Sequence, residues 1–203
     1  MSAIETEVKF RVHDAERLQM HLHAAGFWQE TPRTFERNIL YDTPERRLRL
    51  DRQILRIRQY GDKWVLTHKA IPEAGDTGLF KQRVETETTV SDGDTVATIF
   101  AALGYTPAFT YEKYRTEWTD GGGHCVIDET PIGLYAELEG PEDWINRTAA
   151  ALSVDPREFQ NESYGRLFDL WKEETGSEAN DLTFAAVGSS VEVNALTQSP
   201  SIA

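Results

Sequence analysis

The feature that most constrains the fold of this chain is an alternation of charged and other residues near its start. Residues 4–12 read Ile-Glu-Thr-Glu-Val-Lys-Phe-Arg-Val. Successive side chains of a β-strand point to opposite faces of a sheet, so this segment predicts a strand with one charged face. Two acids followed by two bases lie on that face: Glu5, Glu7, Lys9 and Arg11. Such a row can hold a divalent cation and an anion side by side.

The same alternation recurs along the chain and predicts a mainly antiparallel β protein. Further strands are predicted over 34–42, 54–60, 63–70, 79–90, 111–119, 124–129 and 134–139. Apolar residues at helical spacing predict helices over 14–25, 92–103, 142–152 and 162–174. The glycine cluster at Asp120–Gly123 is interpreted as a hairpin turn, because it lacks the lysine and the following helix of a phosphate-binding loop.

The predicted charged face consists almost only of Arg, Lys and Glu. For any single strand, the simpler interpretation is the solvated face of an open sheet. For the whole set it is less ordinary, because solvated faces usually carry many Thr, Ser and Gln residues. The near balance of acids and bases is compatible with internal salt bridges alone. The neighbouring pairs Arg56/Arg58 and Glu137/Glu139 argue against that alternative, because adjacent like charges are destabilising unless an opposite charge lies between them. A sheet closed into a barrel of about eight strands, with helices outside, would place the charges in a narrow lumen. There a polyanion would satisfy the arginines, and Mg2+ or Mn2+ the glutamates.

Composition excludes several classes of protein. The formal net charge of -13 over 203 residues argues against a duplex nucleic acid or an anionic membrane as partner. No apolar run approaches the roughly 20 residues that span a bilayer. The N-terminal residues also lack the basic and then apolar pattern of a signal peptide, since the first acid is already at position 5. The single cysteine, Cys125, cannot form an internal disulfide and is expected in the core. A cytoplasmic protein is therefore expected.

The chain is predicted to form one domain followed by a tail. Residues 1–175 contain all the predicted strands and helices. Beyond Gly176 the composition shifts to Ser, Ala, Asn, Thr and Val, with almost no aromatic residues. Residues 176–203 are therefore expected to be flexible or loosely packed.

Together these segments resemble the CYTH superfamily, the triphosphate tunnel metalloenzymes. The segment Glu5-x-Glu7-x-Lys9 is similar to the family signature, and further markers follow in the family's order over about residues 4–170. They are Asn38-Ile-Leu-Tyr-Asp-Thr43, Leu55-Arg-Ile-Arg58, Thr67-His-Lys69, Arg83-x-Glu85-x-Glu87, Lys113-x-Arg115, Ile127-Asp128 and Glu137-Leu-Glu139. The resemblance implies an α+β fold, mainly antiparallel β, in which a closed eight-stranded barrel forms a triphosphate-binding tunnel with helices packed outside.

The resemblance also implies roles for individual residues. The metal ligands, for Mg2+ or Mn2+, would be Glu5, Glu7, Glu137 and Glu139. The phosphates would be held by Lys9, Arg56, Arg58, Lys69, Lys113 and Arg115. Catalysis would also depend on Lys69 and on three acids near the metal or linked to it, Glu85, Glu87 and Asp128.

Three functions are compatible with this resemblance. The first is hydrolysis of the terminal phosphoryl group of tripolyphosphate or of a small organic triphosphate such as thiamine triphosphate. The second is an adenylyl cyclase that converts ATP to cyclic AMP and pyrophosphate, and the third is a non-catalytic module that binds polyphosphate or nucleotide. Bacterial class IV cyclases typically carry a His-Phe pair before the first glutamate pair, whereas Met-Ser-Ala-Ile precedes Glu5 here, which favours hydrolysis. The presence of both glutamate pairs argues against the non-catalytic module.

Overall fold

Eight antiparallel strands close into a barrel in the computed structural model of the chain, which describes residues 2–72 and 80–188. The strands are β1 (Ser2–Val12), β2 (Trp28–Asp42), β3 (Ile54–Tyr60), β4 (Lys63–Ala70), β5 (Lys81–Val90), β6 (Thr106–Thr119), β7 (His124–Thr130) and β8 (Gly133–Glu139). Around the barrel they follow the order β1-β5-β4-β3-β2-β6-β7-β8. The predicted fold class, a mainly antiparallel α+β protein built on an eight-stranded closed barrel, is confirmed.

The described helices connect the strands or follow the last of them. They are α1 (Ala15–Ala24), α2 (Arg47–Leu50), α3 (Gly93–Ala102), α4 (Glu142–Ala151), α5 (Tyr164–Thr175) and α6 (Phe184–Val187). The sequence does not predict α2, because its single turn depends on Asp42, whose carboxylate accepts hydrogen bonds from the backbone N–H groups of Leu48 and Arg49. Within residues 2–72 and 80–188, no helix is long and apolar enough to cross a lipid bilayer.

Strands β2 and β6 are longer than predicted. Strand β2 begins at Trp28 instead of position 34, and β6 begins at Thr106 instead of position 111. Their pairing changes register between Thr31 and Thr34, where Pro32 supplies no N–H group to the ladder. A bulge of this kind interrupts the strict alternation of faces, so the pattern that predicts the strand stops before the strand does.

The main apolar core lies between the outer face of the barrel and two helices. Phe10 of β1 and Leu138 of β8 share this core with Leu22 of α1 and Ile145 of α4, and all four side chains are buried. Alternate residues of a strand face opposite ways. The apolar face of β1 and β8 therefore packs in this core, and their charged face points into the lumen. Cys125 is fully buried in the same core, which confirms its predicted place.

A second apolar cluster joins α5 to the segment that follows Gly176. Leu182 is fully buried there, and its backbone bonds to β6: its N–H donates to the Thr110 carbonyl at 3.0 Å, and its carbonyl accepts from the Glu112 N–H at 2.9 Å. Residues 177–188 are therefore docked on the barrel, and the expected loose packing does not describe them. The short apolar stretch of Leu182 and Phe184–Val187 is too weak a pattern to show this from sequence. Residues 189–203 lie outside the described residues.

Replacing Leu182 by Ala should lower the free energy of unfolding by about 2–5 kcal/mol, because a fully buried leucine leaves the cluster. Urea unfolding followed by tryptophan fluorescence measures the change. Leu103 of the α3 C-terminus is 68% exposed, so Leu103→Ala is the matched control and should change stability by less than about 0.5 kcal/mol. Unchanged stability in Leu182→Ala would contradict the docking of this segment.

Candidate active site

The lumen of the barrel widens into a cavity of about 740 Å³ at the end where β1 begins, called here the mouth cavity. Its volume falls within the range of about 300–1,000 Å³ that is usual for small-molecule sites. Five glutamates and two arginines contribute to its wall: Glu5, Glu85, Glu87, Glu117, Glu139, Arg58 and Arg115. Charged side chains from separate strands therefore converge inside the barrel instead of spreading over an outer surface.

The turn between β6 and β7 forms one rim of the mouth cavity. Asp120 accepts hydrogen bonds from the Gly122 N–H at 2.8 Å and from the Trp144 indole at 2.9 Å. Gly121 has a φ of +84°, and a Cβ on Gly122 or Gly123 would lie less than 3 Å from the Trp144 ring. The glycines thus serve turn geometry and close packing, which confirms the hairpin interpretation.

Three of the four predicted metal ligands, Glu5, Glu7 and Glu139, meet beside the mouth cavity. Glu7 lies directly opposite Glu139 in the β1–β8 ladder, and Glu139 shares a hydrogen bond with Glu5. Burial, together with the charges of Glu5 and Glu7, raises the pKa of Glu139 to about 8. Lys69 pairs with Glu5 and Lys81 pairs with Glu7. Partly or fully buried carboxylates are therefore crowded here and create a strong demand for positive charge.

The chemistry of this donor set suits a hard divalent cation, although the side chains are not arranged around one here. Carboxylate oxygens are the ligands that Mg2+ and Mn2+ prefer, and a nearby cation would favour the ionised form of Glu139. Among the described residues, no three Asp, Glu, His or Cys side chains stand in metal-binding geometry. The ammonium groups of Lys69 and Lys81 are paired with two of the carboxylates, so a metal ion bound there would have to displace these lysines.

The deeper lumen is a network of ion pairs around Asp128 and Glu137. Arg115 donates to both carboxylates, at 2.7 Å to Asp128 and at 2.6 Å to Glu137. Lys113 donates to Asp128 at 2.9 Å, and Lys9 pairs with Glu137. Burial alone would raise the pKa of Glu137, but Lys9 and Arg115 outweigh it and hold that pKa well below its usual range. Glu137 is thus an ionised partner of two bases, and its role as a metal ligand stays a prediction.

The remaining predicted site residues line the wall formed by β3, β4 and β5. Arg56 donates to the Tyr111 hydroxyl at 3.2 Å and to the Thr67 hydroxyl at 3.1 Å. Its guanidinium lies 3.9 Å from Glu85 and 3.8 Å from Glu87, and Lys69 lies 3.1 Å from Glu85. The structure thereby brings all the predicted site residues into one lumen, where every predicted phosphate-binding base already faces at least one carboxylate.

Sequence reasoning missed Glu36 of β2, which is fully buried in the lumen. Its carboxylate lies 3.5 Å from Lys113 Nζ and 3.7 Å from Arg58 Nε. A signal for it exists, because Glu36 shares a strand face with Asn38 inside the predicted strand over 34–42.

Tyr164 of α5 is a second lumen residue that sequence reasoning did not find. Its hydroxyl donates to Asp128 at 2.6 Å, and the Lys9 ammonium lies 4.2 Å from the centre of its ring. The helix pattern predicts that Tyr164 is buried but carries no sign that it enters the barrel. Its contacts place an aromatic ring and a hydroxyl among the buried bases at the inner end of the lumen.

Comparisons with known proteins agree with this architecture. The CYTH domain model matches residues 3–145. A candidate adenylate cyclase from Vibrio parahaemolyticus is 19% identical, with a TM-score of 0.71 over 83% of this chain and 99% of that chain. The PH1012 protein from Pyrococcus horikoshii OT3 is 19% identical, with a TM-score of 0.69 over 80% of this chain and 98% of that chain.

A third structure is also similar. HpAC1 from Hippeastrum, a candidate adenylyl cyclase described as having a dominant triphosphatase activity, is 17% identical, with a TM-score of 0.61 over 82% of this chain and 96% of that chain. No curated protein sequence matches the chain. The structural likenesses support the fold, and the family model covers most of the sequence. The chain belongs to the CYTH domain family.

Proposed function

We propose that this protein hydrolyses the terminal phosphoryl group of a triphosphate, with Mg2+ or Mn2+ as cofactor. The observation that carries the proposal is the convergence of bases and carboxylates from separate strands in one lumen that opens to a 740 Å³ cavity. Phosphoryl transfer depends mainly on positioning the phosphates and stabilising their charge, and this lumen offers groups for both tasks.

Glu5, Glu7 and Glu139 are the residues that would hold the metal, with Glu137 as a further candidate behind them. Bound there, the metal would neutralise part of the phosphate charge and polarise the phosphoryl oxygens. Hard oxygen donors and crowded negative charge support this assignment. Displacement of Lys69 and Lys81 from Glu5 and Glu7 would free two ammonium groups close to the bound phosphates.

The bases are proposed to bind the phosphates from the mouth inwards. Arg58 lines the mouth cavity, is only partly buried and is placed to meet the substrate first. Arg115 also reaches this cavity but is buried, as are Arg56, Lys9 and Lys113. Lys69 is proposed as the catalytic cation, since it lies beside the metal-ligand candidates and can stabilise charge that develops on the transferred group.

The predicted catalytic acids are proposed to position these bases. Glu85 lies close to both Arg56 and Lys69, and Glu87 lies close to Arg56. Asp128 is fully buried and holds Lys113 and Arg115 through direct hydrogen bonds. Once the substrate is bound, bases held in this way need little further rearrangement when the transition state forms. Such preorganisation is the main source of electrostatic catalysis.

Cyclisation of ATP is the second candidate function. It is supported by the description of the Vibrio parahaemolyticus structure as a candidate adenylate cyclase. The dominant triphosphatase activity described for HpAC1 supports hydrolysis as the first candidate. The two reactions share metal and phosphate binding and differ in the nucleophile and in the phosphorus atom that it attacks.

Product analysis tests this assignment directly. The protein is incubated separately with tripolyphosphate, thiamine triphosphate and ATP, each with Mg2+ or Mn2+. We expect release of orthophosphate from at least one of them, no cyclic AMP from ATP, and loss of the activity when EDTA removes the metal. Cyclic AMP and pyrophosphate as the main products would replace hydrolysis by cyclisation. Binding of tripolyphosphate without turnover under either metal would favour the non-catalytic module.

A further inference from the structure

One wall of the lumen concentrates buried polar atoms that lack hydrogen-bond partners among the described residues. They are Glu36 Oε2, Asn38 Oδ1, Arg56 Nε and Arg58 Nε. All four belong to β2 and β3, where Asn38 lies opposite Arg58. An unpaired buried polar atom costs about 1–3 kcal/mol, so a group of four marks this wall as a surface built to bind something polar.

Glu36 places a negative charge inside that wall. Its Oε1 atom accepts a hydrogen bond from Asn38 at 2.8 Å and lies 3.5 Å from Lys113 Nζ and 3.7 Å from Arg58 Nε. Burial opposes ionisation of this carboxyl, but Lys113 and Arg58 outweigh burial and lower its pKa. Glu36 is therefore an anion held against two of the bases that are proposed to bind phosphate.

The role of this anion differs from that of a catalytic base. A carboxylate held firmly in its ionised form is a weak base and is poorly suited to take a proton from water at neutral pH. Its influence on a bound phosphate is electrostatic, and in a buried site such influence is stronger than in water. Glu36 reduces the positive potential that Arg58 and Lys113 present to phosphate oxygens.

We propose that Glu36 is an internal counter-anion that limits the affinity of the lumen for phosphate groups, so that the cleaved product can leave. The inference rests on the proposed triphosphate function and adds a positioning residue to it. Glu36 holds Arg58 and Lys113 before substrate arrives and competes with the phosphates for them afterwards. Product release limits the turnover of many enzymes, and a higher affinity for phosphate would slow that release.

Calorimetric titration with pyrophosphate and Mg2+ tests the proposal on Glu36→Gln. Glutamine keeps the size of the side chain and can still accept from Asn38, but it removes the charge. We expect the variant to bind pyrophosphate about tenfold more tightly than the wild type, with a lower KM and a lower kcat for tripolyphosphate. A purely structural role would weaken binding instead. Equal or weaker pyrophosphate binding by the folded variant overturns the proposal.

The matched control is Glu129→Gln, because Glu129 pairs with Arg33 at 2.8 Å on the outer face of β7 and should not affect pyrophosphate affinity. A second variant, Asn38→Asp, adds an acid beside Glu36 and should weaken binding about tenfold. If Glu36→Gln does not fold, Asn38→Asp tests the proposal in its place. Unchanged or tighter pyrophosphate binding by Asn38→Asp overturns the proposal. No pyrophosphate binding by the wild type would defeat the proposed function as well, whereas equal binding by wild type and Glu36→Gln would defeat only the role of Glu36.

Discussion

Replacing Glu5 by Gln is expected to reduce kcat/KM for triphosphate hydrolysis by about a hundredfold to a thousandfold. Glu5 lines the mouth cavity, shares a hydrogen bond with Glu139 and pairs with Lys69. The neutral amide removes one of the charges that would hold the metal and leaves Lys69 without that partner. The reduction in kcat/KM is measured as orthophosphate release across a range of Mg2+ concentrations. The substrate is the one identified by product analysis.

The Mg2+ dependence of the remaining activity distinguishes a metal ligand from a structural residue. A ligand role predicts that the variant needs a higher Mg2+ concentration for half-maximal activity, whereas its thermal unfolding stays close to that of the wild type. The outer-face variant Glu129→Gln changes a carboxylate outside the lumen and should retain full activity. Undiminished turnover in Glu5→Gln would remove the metal role proposed for this residue.

Replacing Asp128 by Ala is expected to lower the free energy of unfolding by about 3–5 kcal/mol. Asp128 is fully buried and accepts hydrogen bonds from Lys113, Arg115 and Tyr164. Alanine removes the carboxylate that both bases share and leaves Arg115 with Glu137 and Lys113 with Glu36, so the buried network loses one negative charge, which is costly. Chemical denaturation at neutral pH measures the change.

Tyr164→Phe is the graded control for this prediction. It removes one hydrogen bond to Asp128 and leaves both ion pairs in place, so it should cost only about 1–2 kcal/mol. If Asp128→Ala lowered the free energy of unfolding by less than about 1 kcal/mol, the bases would be hydrated in the absence of Asp128. That result would contradict the description of the inner lumen as a buried ion-pair network.

The lumen neutralises its own charges, and this shapes how a substrate can bind. Lys9 faces Glu137, Lys69 faces Glu5, and Lys113 faces Asp128. A triphosphate bound as proposed would therefore exchange part of these internal ion pairs for contacts with its own oxygens, and a divalent cation would do the same with the carboxylates. Breaking a buried pair costs energy unless a new partner replaces the old one. Phosphate and metal bound together would restore both sets of charges, so we expect the substrate to bind with its metal.

Much of the candidate site could be predicted because it depends on local alternation. Glu5, Arg58 and Glu139 each stand in a strand whose opposite face is apolar or buried, so their shared face follows from the period of two. Features that do not depend on the alternation of strand residues were not predicted. The bulge around Pro32 hid the first part of β2, and Leu182 docks through contacts with β6 that no local pattern carries.

The amino-acid sequence by itself determined which side chains share a face of each strand, because that depends only on the geometry of neighbouring residues. The tertiary structure alone decided which of these faces meet and at what depth. Closure and register set Glu139 beside Glu5 at the mouth but Glu137 among deeper bases, although the two glutamates are only two positions apart. Glu36 and Tyr164 joined the same lumen for the same reason: contacts between distant segments depend on how the strands pair and how α5 packs.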